Sequence, residues 1–310
     1  MRLKDDRKQQ NQKNKINIRF IVHIICIVGF LCCAAWLIWY LISLHKSNEL
    51  MKDIEENYVV TPSPTDGLST DAPDPIPNLF GDRAYPDFSE LDVPELELDF
   101  AGLQEINPDV YAWIYVPDTS VNYPIVQRAG DAEYYLRRDL QGNHSTAGTI
   151  FTQYYNHKDW LDNLTVIYGH NMNDGSMFAS LHYFEDSQFF QEHPYIYIYT
   201  PEYTLVYQVF AAYEFTDVHL LLSYTMNDYD SFALYLDQVL SLDGLHVNIN
   251  RDMEVTADDR VITLSTCMDV KKSDNRYLVQ AKLSAVEKTA EAREAAENGE
   301  ASGTADAGSE

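Results

Sequence analysis

Three residue types with acyl-transfer chemistry stand at the ends of β-rich runs in this sequence. Cys267 closes the run Val261-Ile262-Thr263-Leu264-Ser265-Thr266, which is β-branched or apolar almost throughout. A polar stretch, MDVKKSDN, follows, and Arg276 heads the next run, RYLVQAKL. If those two strands are neighbours, a fixed guanidinium lies across one loop from a thiol, where it lowers the thiol pKa and holds a developing oxyanion. His170 has the same address on another strand, since Leu164–Tyr168 is strand-like, Gly169 breaks it and His170 follows. A thiolate that attacks a carbonyl and an imidazolium that protonates the leaving amine are the parts of nucleophilic acyl transfer. Residue types alone leave other readings open. Cys267 also suits a buried inert position, and Arg276 a surface ion pair. His170 has rivals in His144, His157, His182, His193, His219 and His246.

The elements that must position these groups are mostly strands. VYAWIYV (110–116) and VNYPIVQ (121–127) read as strands joined by a Pro-Asp turn, and GTIFTQYY, LTVIYG, YIYIYT and TLVYQVFAAYEF follow as further strands. Pro201-Glu202 marks a tight hairpin between the last two. DFAGLQEI near 99–106 reads as a helix ended by Asn107-Pro108, and SMFASLHYF and SQFFQEH read as short helices. A longer helix at 229–242 carries Phe232, Tyr235, Leu236, Val239 and Leu240 on one face. About eight strands with few helices predict a closed, mainly β barrel with short helices, an N-terminal helix and the longer helix inserted before the Cys267 strand.

The ends of the chain set its compartment. Residues 1–19 are basic, and an uncharged run from Phe20 to about Leu44 follows. As a helix that run spans roughly 35 Å, enough to cross a hydrocarbon core. Trp36, Trp39 and Tyr40 lie near its far end, as interfacial aromatics do, and the basic flank predicts a cytoplasmic N-terminus with the remainder outside. A cleaved signal peptide is the alternative; the run is long for one, and no small-residue cleavage site is obvious beyond it. Cys26, Cys32 and Cys33 fall within the apolar run, leaving Cys267 as the one thiol of the exported part. The expected organisation is thus a basic N-terminus (1–19), a membrane anchor (20–44), a polar and Pro-rich spacer (45–89), a folded domain (90–286) and a disordered acidic tail (287–310). The chain carries 22 Lys and Arg against 48 Asp and Glu, a formal net charge of −26, which argues against nucleic acid as a partner. No stretch has the ligand spacing of an EF-hand loop.

These residues together carry a resemblance. Thr263-Leu264-Ser265-Thr266-Cys267, with an Arg at the head of the next strand, resembles the sortase active-site signature. Val166-Ile167-Tyr168-Gly169-His170-Asn171-Met172, continuing through Asp174-Gly175-Ser176-Met177-Phe178, resembles the catalytic His region of class B sortases. TSVNYPIVQ, EYYLRRDLQGNHSTAGTIF and a long helix before the Cys strand are similar to that class too, so the likeness covers roughly 100–286. It implies a cysteine transpeptidase with Cys267 as nucleophile, His170 as general acid and Arg276 as the cation that stabilises the oxyanion or orients substrate. It further implies that Ser265, Tyr168 and Asn122 line the substrate groove. Met268 stands where some class B members have an acidic residue, so no role follows for a charge beside the thiol. The implied substrates are secreted proteins with a C-terminal LPxTG- or NPxTN-like motif. The implied acceptor is a peptidoglycan-precursor or pilin amine. The chemistry needs no metal and no cofactor. Two rivals remain at the level of sequence. A thiol L,D-transpeptidase places His and Cys in one short run, absent here, and a membrane-tethered β-barrel adhesin would carry an inert Cys267.

Overall fold

The computed structural model describes residues 2–60, 91, 93–268 and 274–289. The Pro-rich part of the expected spacer (61–90), most of the loop after Cys267 (269–273) and the acidic tail past residue 289 lie outside the described residues. The chain forms two compact units, residues 1–47 and 48–310.

Helix α1 runs over Arg2–Tyr58. Its stretch from Arg19 is long and apolar enough to cross a membrane. Large apolar side chains there face outward on every side; Phe30 is 73% exposed and Trp36 63%. A helix apolar all round suits a hydrocarbon surrounding rather than a one-sided core.

The second unit begins within the segment expected to be spacer. Leu50, Met51, Ile54 and Tyr58 recur at helical spacing, and that stripe packs on the barrel core, where Ile54 is fully buried. A two-strand ladder extends the contact, pairing β1 (Val59–Val60) with β2 (Glu97–Leu98). Helix α2 (Phe100–Ile106) follows, N-capped by the Asp99 carboxylate, which accepts from the Gly102 N–H at 2.8 Å.

The barrel strands are β3 (Val110–Tyr115), β4 (Asn122–Val126), β5 (Phe151–Thr152), β6 (Leu164–Tyr168), β7 (Tyr195–Tyr199) and β8 (Tyr203–Thr216), then β10 (Val261–Cys267) and β11 (Asn275–Lys288). Their order is β11-β10-β6-β5-β4-β3-β7-β8, and β8 pairs again with β11, which closes an eight-stranded barrel. The short strand β9 (Asn248–Ile249) attaches to β8 outside the ring. Closure leaves no barrel edge, and two register shifts along β8–β11 bend the long pair around.

Helices α3 (Ser187–Glu192), α4 (Leu220–Ser223) and α5 (Tyr229–Leu240) complete the unit. Asp228 caps α5 by accepting from the N–H and Oγ of Ser231. The apolar face of α5 buries Phe232, Tyr235, Leu236 and Val239 against the strand face that carries Val261 and Leu278. The helix is inserted before the Cys267 strand, as its spacing predicts.

Two elements differ from the sequence expectation, each for a local reason. GTIFTQYY gives only the two residues of β5. Beyond Thr152 the backbone is satisfied by side chains instead of a ladder. Gln127 Nε2 donates to the carbonyls of Gln153 and Asn156, and the Asn156 amide bonds Leu164 O at 2.7 Å and the Val166 N–H at 3.1 Å. The expected helix over SMFASLHYF starts only at Ala179 and is 3-10 to Glu185. Met177 holds a left-handed φ of 57° and gives its N–H to Tyr123 Oη, so no helix can form through it.

Candidate active site

Strand pairing brings the three chemistry-bearing residues to one rim. In the antiparallel pair β10–β11, Cys267 stands directly opposite Arg276. Directly paired residues project from the same face of a sheet. In the parallel pair β10–β6, Ser265 is level with Tyr168, and the contact continues as the Gly169 N–H donates to Ser265 O at 3.2 Å. Two residues further on from each come Cys267 and His170. Alternation places Ser265 and Cys267 on one face of β10, the face that α5 covers lower down. Gln280, paired with Thr263, joins the two by donating to Thr263 Oγ1 and Tyr235 Oη. The helix insertion therefore forms a wall beside the thiol's face.

His170 is oriented from the opposite side. Its Nε2 lies 2.6 Å from the carbonyl of Leu136. A carbonyl only accepts, so Nε2 carries the proton and Nδ1 is left to exchange protons with a reacting group. Leu136 belongs to the 3-10 turn Tyr134–Arg137, which Thr149 pins by donating its N–H to Tyr135 O and its Oγ1 to Arg138 O. Burial pushes the His170 pKa down and the Arg137 charge adds to this, while the bond to Leu136 O opposes it.

Arg276 is part-exposed, with Nη1 3.3 Å from the Asn275 carbonyl. Its charge reaches Tyr168, whose phenol burial pushes well above the ordinary tyrosine range and Arg276 pulls back. Tyr168 stacks on Phe151 at 5.4 Å and meets the His219 ring at 6.5 Å. Beyond His219 stands Tyr155, exposed and edge-on to that ring.

Of the three groove candidates, Tyr168 and Ser265 sit side by side, Ser265 being buried and two residues from the thiol. Asn122 begins β4; the register sets Val126 level with Phe151 and Tyr168, so Asn122 lies four residues beyond that level on the rim side. Its amide is already engaged: Oδ1 accepts from Trp113 Nε1 at 2.7 Å, and Nδ2 donates to Glu55 of α1 at 2.8 Å.

The rival histidines have other occupations. His157 pairs with Asp162, His193 with Asp118, His246 with Glu185, and His219 bonds Gln153. His144 faces Arg138 across an isolated bridge. His182 is the exception, because it touches the Cys267 backbone, its Nε2 lying 3.0 Å from Cys267 O. Asn171 Nδ2 converges on the same oxygen at 3.0 Å. Sequence reasoning missed both contacts, although Asn171 stands next to His170 in the YGHNM string. Among the described residues, no group of three His, Cys, Asp or Glu is placed to hold a metal ion.

Comparisons with known proteins point to one family. A family model described as a sortase domain matches residues 114–284. Sortase B of Listeria monocytogenes is 35% identical over 190 residues, covering 61% of this chain and 75% of that protein. Sortase B of Staphylococcus aureus is 33% identical over 185 residues, covering 59% and 74%. The crystal structure of sortase B from B. anthracis in complex with AAEK1 superposes with a TM-score of 0.59 at 29% identity, over 79% of this chain and 99% of that one. The S. aureus sortase B–substrate complex gives a TM-score of 0.51 at 31% identity, over 62% and 85%. With its closed eight-stranded barrel and its match to the family over more than half its length, this chain belongs to the sortase family, in class B, and is a cysteine transpeptidase.

Proposed function

We propose that this sortase cuts a C-terminal LPxTG- or NPxTN-like motif of secreted proteins at the Thr carbonyl, and passes the acyl group to a cell-wall or pilin amine. The observation that carries this reading is the register that sets Cys267 opposite Arg276 while β6 delivers His170 to the same rim. The Cys267 thiolate forms the S–C bond to the Thr carbonyl, and the C–N bond breaks as His170 gives its proton to the departing amine. A thioester remains. The acceptor amine then attacks, loses its proton to His170, and expels the thiolate. Arg276 stabilises the tetrahedral oxyanion or orients the motif beside Tyr168 and Ser265, with Asn122 at the same rim. No metal or cofactor takes part. The apolar stretch of α1 anchors the enzyme, with the basic N-terminus in the cytoplasm and the barrel at the outer face of a Gram-positive membrane, where exported substrates arrive.

The test is turnover of LPxTG and NPxTN peptides by the full chain in detergent, with and without an amine acceptor. Parent enzyme should accumulate an acyl adduct on Cys267 by mass spectrometry, and Cys267→Ala should neither cleave nor form it. Cleavage surviving in that variant would overturn the reading.

A further inference from the structure

The nucleophile's own peptide is met by two side chains from outside the catalytic strands, His182 and Asn171. His182 Nε2 lies 3.0 Å from Cys267 O, and its Nδ1 lies 2.5 Å from Glu185 Oε1. Asn171 Nδ2 lies 3.0 Å from both His182 Nε2 and Cys267 O, so the imidazole, held through Nδ1 by the Glu185 carboxylate, and the Asn171 amide meet the nucleophile's carbonyl as one cluster. The second oxygen of Glu185 faces His246 Nδ1 at 3.2 Å. The His182 ring stacks on Tyr277 at 5.0 Å. Tyr277 follows Arg276 on β11 and therefore points to the opposite face of the sheet from Arg276 and Cys267. His182 thus sits behind the strand that carries the thiol, on the far side from the face where His170 and substrate meet it.

That position rules His182 out as proton donor to the leaving amine, and gives it another use. Cys267 is the last residue of β10, and its carbonyl lies past the end of the parallel ladder with β6, whose last pair is Ser265–Tyr168. Across from it, Met268 is still tied to β11 by its N–H to Asn275 O at 3.1 Å. That N–H and the Cys267 carbonyl belong to one planar peptide held by β11 on one side only, so a second hold on the carbonyl side is what fixes its tilt, and with it the thiol. Asn171 Nδ2 donates to the carbonyl oxygen at 3.0 Å, and His182 Nε2 lies 3.0 Å from both that oxygen and the Asn171 amide. We infer that His182, oriented by Glu185 and acting with Asn171, is a positioning residue for Cys267: the cluster locks the nucleophile's carbonyl and so the approach of the thiolate to the scissile carbonyl. Misplacement of a reacting atom by about 1 Å costs on the order of 10²-fold in rate, so a partial loosening is expected to cost less.

This inference rests on Cys267 being the nucleophile, and the experiment separates the two. Full-length parent, His182→Phe, His182→Gln, Glu185→Gln and Cys267→Ala are compared in detergent for peptide turnover, thermal midpoint and rate of Cys267 alkylation by iodoacetamide, read by peptide mapping. Phe keeps the stack on Tyr277 and lacks the ring nitrogens. It should lower kcat about tenfold, leave KM within about twofold and slow alkylation about threefold or more. Gln supplies an amide in place of the ring nitrogens and should recover at least half of the lost kcat. Glu185→Gln keeps the volume and loses the carboxylate that holds His182 Nδ1, and should lower kcat severalfold at an unchanged melting point. Should Phe fail to fold, Glu185→Gln alone decides: parent-like kcat overturns the inference. Parent-like kcat in His182→Phe, or a Gln variant as slow as Phe, overturns it equally. Cleavage by Cys267→Ala would instead sink the nucleophile assignment.

Discussion

Cys267 and Arg276 are directly opposite in the β10–β11 pair, so the thiol and the guanidinium leave the sheet from the same face one strand apart. The loop between them does not set this juxtaposition; the 14-residue β11, pairing along the whole of β10, does, from Val261–Lys282 to Cys267–Arg276. Arg276→Ala should therefore leave the barrel folded and remove the fixed cation. The expected loss is at least ~10²-fold in kcat/KM, the scale of one lost oxyanion donor. Arg276→Lys keeps the charge without the planar fork and should recover only part of it. Peptide kinetics on both variants, with circular dichroism to check the fold, decide the matter; an Ala variant within about threefold of the parent would remove Arg276 from the mechanism.

His170 is held below the ordinary histidine range, first by burial and then by Arg137. The free-enzyme acid limb of kcat/KM should consequently inflect below about 6.5, the unperturbed value. The same depression makes a stability statement. Around pH 6 the folded state binds fewer protons at this site than the unfolded chain does. The stabilisation is present above the unfolded pKa and is lost as pH falls through the lower, folded one. Melting of parent and His170→Gln from pH 7.5 to 5 tests this: the parent should lose more stability on acidification than the variant. Equal slopes would show that the imidazole titrates as if exposed.

Much of this site is legible in the residues, and the rest is hidden for definite reasons. The β-branched run ending in Cys267 and the strand headed by Arg276 declare themselves as neighbours, because a short polar loop separates them. His170 advertises itself through Gly169 and the strand before it. The contact of His182 with Cys267 is not legible, since it joins residues 85 apart through a 3-10 turn whose start is set by the left-handed φ of Met177. The truncation of β5 is equally hidden, because it depends on where the amides of Gln127 and Asn156 point. The packing of residues 48–58 was available as the stripe Leu50, Ile54, Tyr58, yet it is masked by the charged residues between them and by the Pro-rich segment that follows.

Gly169 lies between β6 and His170 with no room for a side chain. A Cβ there would stand 2.6 Å from Ile150 Cδ1 and from the Phe178 ring, and both residues are fully buried. Gly169→Ala must push the chain outward or displace the ring, at a cost of about 1–3 kcal/mol for overpacking a core. The displacement falls on the residue before His170, so kcat should drop by about tenfold or more while KM changes little. Gly175, where a Cβ would meet nothing within 4 Å, serves as the comparison in the same loop, though its φ of 81° adds some backbone strain. Gly169→Ala turning over at the parent rate would show that the His170 position tolerates a shift of its neighbour.

Ile54 tests whether the helix entering the barrel is part of the enzyme. It is fully buried in the cluster formed with Leu103, Trp113 and Tyr199, although it lies well upstream of the strands that carry the chemistry. Truncating a buried Ile to Ala typically costs about 2–5 kcal/mol, the transfer loss plus the cavity left behind. Two polar contacts tie the same helix to the rim, Glu55 to Asn122 and Asn48 to Asp174. Ile54→Ala should therefore lower the denaturation midpoint of the full chain and slow turnover, because loosening the helix also releases Asn122. Glu55→Ala, exposed and outside the core, should leave the midpoint within about 0.5 kcal/mol and alter KM alone. If Ile54→Ala melts like the parent, residues 48–58 are a tether resting on the barrel, and a domain cut at residue 90 would be as stable as the longer one.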